Sequence, residues 1–172
     1  LEHDLILADT INGFSKFIVK NKPDMIIVHG DRLETLAGAI VGLFGGVLVG
    51  HIEGGEVSGT VDEIIRHSVT KLSHIHFVSN MEAKKRIIQM GENKNSVFII
   101  GSPEIEVMKN ENIPKISETK KRYNISFQKY GIFIFHPVVT EFSQIKKQIR
   151  EIIKGLEFSR KQIIIIYPNN DQ

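Results

Sequence analysis

The chain has 172 residues, enough for one comfortable core or for one domain and part of a second, and its 41% hydrophobic and 24% charged content is that of an ordinary globular protein. A formal net charge of +2 is too small to imply a nucleic-acid or membrane-surface partner, and the short basic clusters Lys84-Lys85-Arg86 and Lys120-Lys121-Arg122 carry no interleaved aromatics and read as solvated helix faces. The absence of cysteine excludes disulfides, thiolate metal sites and a cysteine nucleophile.

Apolar runs of strand length then alternate with stretches of helical period. "MIIVH" (Met25 to His29) follows Pro23-Asp24 and predicts a buried strand, and Leu33 to Leu43, rich in Ala and Leu, predicts a helix. "GVLVG" (Gly46 to Gly50), "HIHFVS" (His74 to Ser79) and "SVFII" (Ser96 to Ile100) predict three further strands. Such runs separated by helices point to an α/β protein with a Rossmann-like parallel sheet covered on both faces. The apolar stretch from 37 to 49 is broken by glycines and is too short to cross a bilayer, and no signal peptide opens the chain, so a cytoplasmic protein without a membrane partner is expected.

Between the second and third strands, Thr60-Val61-Asp62-Glu63 fits a capping box, with Thr60 as N-cap and Glu63 reaching back. Val61, Ile64, Ile65, Val69 and Leu72 share the face expected to pack inward. Asp62 and Arg66 stand i, i+4 and read, by spacing alone, as a surface ion pair. Polar "NENIPKISETK" then marks a linker. It divides an N-terminal Rossmann-like domain (1–110) from the start of a second (122–172), with 111–121 between them. "YGIFIF" (Tyr130 to Phe135), a helix over Ser143 to Phe158 and "QIIIIYP" (Gln162 to Pro168) give the second domain a βαβ rhythm. The chain opens on Leu1 and stops at Gln172 just after an apolar strand, which reads as truncation at both ends.

In parallel sheets ligands sit at the carboxyl ends of the strands. His29-Gly30-Asp31-Arg32, His51-Ile52-Glu53 and Gly101-Ser102-Pro103-Glu104 all fall there. Asp31 and Glu53 converge if their strands are neighbours, and paired carboxylates in a cleft suit proton abstraction and return. Arg32 could hold a phosphate or one of these carboxylates, and His51 and His136 could each act as an acid or an orienting donor. Gly54, Gly55 and Gly59 would let backbone approach a ligand, and the helix N-terminus near Thr60 could accept an anion. There is no Gly-Lys-Ser/Thr phosphate loop and no G-x-G-x-x-G fingerprint. His74 and His76 share a strand face, yet no third ligand stands at a fitting spacing, so neither metal nor cofactor is expected.

"GDR", "HIEGGEVSGTVDEIIRHSVTKLSHIHF", "GSPEIE", "FHPVVTE" and "YPNND" occur here in the order seen in hydrolysing UDP-N-acetylglucosamine 2-epimerases. The chain resembles that family, which includes the bacterial sialic-acid and legionaminic-acid pathway enzymes and the epimerase half of the animal bifunctional enzyme, over nearly its whole length. Non-hydrolysing relatives share the fold but typically read His-Val-Glu-Ala-Gly at His51 to Gly55, where this chain has His-Ile-Glu-Gly-Gly.

The resemblance implies a GT-B-like architecture of two Rossmann-like domains, and a UDP-sugar as substrate. That sugar is UDP-N-acetylglucosamine or its 2,4-diacetamido-2,4,6-trideoxy relative. UDP would be eliminated from C1 with loss of the C2 proton, and water would add to the glycal to release the free 2-epimeric sugar for nonulosonic acid synthesis. By the same resemblance Asp31, Glu53 and Asp62 are the catalytic carboxylates, His136 contacts the leaving diphosphate, and Arg32, Arg66 and His51 position the reacting groups. It also implies homo-oligomers of the full-length protein, a first strand lying before Leu1, and most of the nucleotide site lying beyond Gln172. Other readings are a non-hydrolysing 2-epimerase, a GT-B glycosyltransferase and a nucleotide-sugar-binding module.

Overall fold

A computed structural model describes residues 3–109, 112–137 and 143–167. The chain divides into two compact units, Leu1–Glu111 and Asn112–Gln172. In the first, strands β1 (Met25–His29), β2 (Leu48–Ile52), β3 (Ile75–Val78) and β4 (Val97–Ile99) form a sheet in the order β1-β2-β3-β4, every neighbouring pair parallel. Its helices are α1 (His3–Asn21), α2 (Leu33–Phe44), α3 (Val61–Lys71), α4 (Met81–Gln89) and α5 (Pro103–Met108).

One face of this sheet carries the core. Ile26, Val28 and Val49 are buried in one cluster with Ala39 and Val41 of α2 and Val69 of α3. Val78 and Val97 are buried with Ala83 and Ile87 of α4. Burial of apolar area on this side, at about 25 cal/mol per Å², is what holds helices and strands together. The opposite face is only partly covered: Ile27 is 59% exposed and Phe98 is 49% exposed, with Phe98 stacked against Phe77. The expectation of a sheet covered on both faces therefore holds for one face among the described residues.

Strand β2 begins two residues later than the run "GVLVG" suggests. Gly46 adopts φ +68, and the Val47 N–H is spent on the Gly42 carbonyl at 2.9 Å, closing the end of α2 before the ladder starts. Pairing then runs on through His51 and Ile52, which stand opposite His76 and Phe77.

The capping residues of α3 behave differently from the expected box. Thr60 is the N-cap without a side-chain cap bond; its hydroxyl donates to Asp62 at 3.1 Å. Glu63 does reach back, but accepts from the N–H groups of Ser58 and Gly59 at 2.8 and 2.7 Å. Val69 is buried and Ile65 and Leu72 pack on the core, as the spacing predicts, whereas Val61 and Ile64 are exposed.

The second unit contains α6 (Ile116–Arg122), β5 (Gly131–Ile134), α7 (Ile145–Ser159) and β6 (Ile163–Ile166), with β5 and β6 parallel and joined through α7. Helix α6 occupies much of the stretch read as a linker. Its composition allows this, with Glu118 in the first turn and Lys120, Lys121 and Arg122 in the last, each complementing the helix dipole. No helix among the described residues is long and apolar enough to cross a membrane.

Candidate active site

At the carboxyl edge of the first sheet, three loops bring titratable groups together. His29 ends β1, Glu53 follows β2, and Glu104 lies in the first turn of α5 after β4. His29 Nε2 and Glu53 Oε2 are 2.8 Å apart. The ring nitrogen and one carboxylate oxygen each from Glu53 and Glu104 all lie within 4.8 Å of one another. The same spacing could accommodate a cation, but the donor atoms of His29 and Glu53 already satisfy each other, and the arrangement reads as one that shares protons.

Burial raises the Glu53 carboxyl above the usual range, and the neighbouring Glu104 carboxylate adds to that; the His29 contact pulls the other way. Glu104 is held below the usual range, first by the Ser102 hydroxyl, which donates to its Oε2 at 2.8 Å. The two directions agree physically: of the pair, Glu53 is the one pushed toward its acid form and Glu104 the one pushed toward its anion. Glu53 itself stands at φ 64, in the left-handed region, with its N–H bonded to the Phe77 carbonyl at 2.9 Å. A non-glycine residue there is strained and is kept in place by its surroundings.

Asp31 is two residues beyond His29, and its partner is Arg66, which donates to it through Nη2. Arg66 is buried and also donates to the Glu56 carbonyl at 3.0 Å and to the Ser58 hydroxyl at 3.4 Å. The surface pair expected between Asp62 and Arg66 is therefore replaced by a pair between Arg66 and Asp31. Asp62 is exposed at the start of α3 and is contacted by Thr60. The Glu53–Thr60 loop has further ties: Arg86 donates to the Gly55 carbonyl, and Asn80 donates to the Glu56 carboxylate at 2.9 Å.

His51 is fully buried on the core face, with Nε2 2.9 Å from the Gly30 carbonyl and Nδ1 3.2 Å from the Thr70 hydroxyl. A carbonyl only accepts, so Nε2 carries the proton. Burial lowers this histidine to about 4, so the ring is neutral near pH 7, and its unprotonated Nδ1 competes for the Thr70 hydroxyl proton with the Arg66 carbonyl, to which Thr70 donates at 3.0 Å. His51 thus acts as an orienting donor to the loop that bears Asp31.

Gly54 sits flat against this histidine: a Cβ there would lie 2.8 Å from His51 Nδ1 and 2.9 Å from Thr70 Oγ1. A Cβ on Gly55 would lie 2.6 Å from the Ala83 carbonyl. The close approach read from these glycines is to the protein's own side chains and backbone. The N–H groups just before α3, expected to accept an outside anion, are likewise filled by Glu63, whose carboxyl they hold low.

Of the remaining predicted residues, Arg32 is exposed, 3.6 Å from Glu34 in a surface ion pair of little energetic weight. His136 is exposed in the second unit, just beyond β5. Positions 138–141 of "FHPVVTE" and 168–171 of "YPNND" lie outside the described residues. His74 and His76 serve the fold: His74 Nδ1 accepts from the Val49 N–H at 3.1 Å, while His76 is buried with Nε2 3.5 Å from Glu92. His29 and Glu104 were visible at strand ends, but spacing within one segment gives no sign that they meet.

The fold is an α/β one with a parallel sheet that gathers titratable groups at its carboxyl edge, and the sequence matches the UDP-N-acetylglucosamine 2-epimerase family over residues 2–172. The chain belongs to that family. It is 49% identical over 166 residues to "UDP-N-acetylglucosamine 2-epimerase" of Neisseria meningitidis, covering 96% of this chain and 44% of the relative. It is 38% identical to "UDP-N,N'-diacetylbacillosamine 2-epimerase (hydrolyzing)" of Legionella pneumophila, covering 92% and 42%. The chain thus spans less than half the length of these curated relatives.

Among solved structures, the UDP-GlcNAc 2-epimerase of Methanocaldococcus jannaschii in complex with UDP-GlcNAc and UDP superimposes with a TM-score of 0.79 at 24% identity, over 97% of this chain and 48% of that one. The S. aureus MnaA-UDP co-structure gives 0.77 at 23% identity, over 100% and 47%. These likenesses show a shared α/β, GT-B-like fold.

Proposed function

We propose that the protein to which this chain belongs is a hydrolysing UDP-sugar 2-epimerase acting on UDP-N-acetylglucosamine or its 2,4-diacetamido-2,4,6-trideoxy relative. The observation that carries the proposal is the meeting of His29, Glu53 and Glu104 beside the Asp31–Arg66 pair at one strand edge. In the reaction, the C2–H bond gives its proton to a carboxylate, its electron pair forms the C1=C2 bond, and the C1–O bond breaks to release UDP. Water then adds its hydroxyl to C1 while an acid returns a proton to the opposite face of C2. Two steps of opposite proton demand need an acid and a base poised together. Asp31, Glu53 and Asp62 are the carboxylates assigned to these steps. Arg66 and His51 hold the loops that carry them, Arg32 lies at the same edge, and His136 is assigned to the diphosphate.

A second reading, a non-hydrolysing epimerase, is favoured by the 49% identical relative, whose name carries no hydrolysing qualifier. The hydrolysing reading is favoured by the Legionella relative and by one of Campylobacter jejuni at 35%, both named as hydrolysing. Full-length protein incubated with UDP-N-acetylglucosamine in D2O separates them by NMR. The hydrolysing reading expects UDP and a free 2-epimeric sugar deuterated at C2. Interconverted UDP-sugars with no free sugar establish the non-hydrolysing reaction. Binding without turnover contradicts both.

A further inference from the structure

We propose that Glu104 is a positioning residue for Glu53: it accepts a hydrogen bond from the protonated Glu53 carboxyl and thereby fixes both its orientation and its protonation state. The inference rests on reading Glu53 as one of the reacting carboxylates. Nothing in the family resemblance or in the matched names assigns a role to Glu104.

The geometry supplies both halves of the interaction. His29 holds Oε2 of Glu53 at 2.8 Å, fixing one oxygen of the carboxyl. Glu104 comes from the loop after β4, two strands from Glu53's β2 in the sheet order, and places an oxygen within 4.8 Å of the same pair. Two carboxyls this close ionise together only at a cost, which pushes one of them toward its acid form. Exposure decides which. The Glu53 side chain is 22% exposed, whereas Glu104 is exposed and its charged form accepts a bond from the Ser102 hydroxyl at 2.8 Å. Burial and the neighbouring Glu104 both raise Glu53, consistent with this division. The charged groups facing Glu53 are His29 from β1 and Glu104 from α5; His29 favours its anion and Glu104 its acid. The backbone at Glu53 is left-handed, and its side chain is held by the 2.8 Å contact with His29.

The test uses full-length protein, the pH dependence of kcat/KM for UDP release, and 13C NMR titration of the Glu53 carboxyl. Glu104→Gln keeps the size and an acceptor but removes the charge, and its exposed position makes misfolding no obstacle. Whether Glu53 works as acid or base, losing a neighbouring negative charge favours its ionised form. The limb of the profile belonging to Glu53 and its NMR midpoint therefore both move to lower pH, by about one unit, while Glu104→Asp retains most of the wild-type value. A midpoint and limb unmoved, or moved upward, in Glu104→Gln overturn the proposal. Should wild-type protein release no UDP, the epimerase reading fails by itself, and the carboxyl titration still decides the role of Glu104.

Discussion

Arg66 of α3 is bonded to Asp31, 35 residues earlier in the chain, although Asp62 lies one helical turn before it on the same helix. The choice follows from burial. Arg66 enters the protein beneath the Glu53–Thr60 loop and needs acceptors there, which Asp31 and the Glu56 carbonyl provide. Asp62 stays at the surface, where an ion pair would contribute only a few tenths of a kcal/mol. One cation thus ties the loop after β1 to the loop after β2.

Replacing Arg66 by Gln is expected to destabilise the protein by about 2 kcal/mol, because Asp31 and the Glu56 carbonyl lose a charged donor. Urea unfolding checks this. Asp62→Asn, by contrast, is expected to shift the midpoint by less than about 0.5 kcal/mol, as usual for an exposed side chain away from packed features.

Three glycines of one loop form a graded series. Gly59→Ala meets no atom within 4 Å but places a side chain at φ +69, a strain of about 1 kcal/mol. Gly54→Ala pushes on His51 and Thr70, both fixed by hydrogen bonds, and overpacking of this kind costs about 1–3 kcal/mol. Gly55→Ala combines φ +81 with a collision against the Ala83 carbonyl and is expected to be the most damaging. Thermal unfolding of the three variants should rank them in that order.

Acid should weaken the fold through His51. Its value falls from 6.5 in the unfolded chain to about 4 in the folded one, so between these limits the unfolded state binds the extra proton. The stabilisation is complete above about pH 6.5 and is lost as pH falls to about 4, amounting to roughly 3 kcal/mol. Burial lowers His76 as well, so it acts in the same direction. Urea midpoints measured from pH 7 to pH 4 should fall, and His51→Gln, which can still donate to Gly30, should make that fall shallower.

Much of the α/β order is legible because buried parallel strands are short, continuous and β-branched, as at Met25–His29 and Ile75–Val78. Helix α1 carries a fainter signal: Leu7, Ile11, Phe14 and Ile18 recur at helical spacing, but only Ile18 among its residues is buried in the core. The strand-edge loops were visible as places, and the neighbouring of β1 and β2 brings Glu53 to His29. Which side chains meet is not legible in the sequence: Arg66 has an eligible partner on its own helix, and Glu53 and Glu104 come from loops after β2 and β4, 51 residues apart. The glycines of this loop signal backbone freedom, but what Gly54 and Gly55 approach is His51 and α4, a fact of packing that no short motif encodes.

The central claim is that Glu53 takes part in breaking and remaking the bonds at C1 and C2 of a UDP-linked sugar. The most direct measurement is the rate of UDP release by full-length protein carrying Glu53→Gln, with folding verified by an unchanged circular dichroism spectrum. The account predicts a loss of at least about 100-fold, the scale of a general acid or base removed from a reaction. Release at the wild-type rate would contradict it.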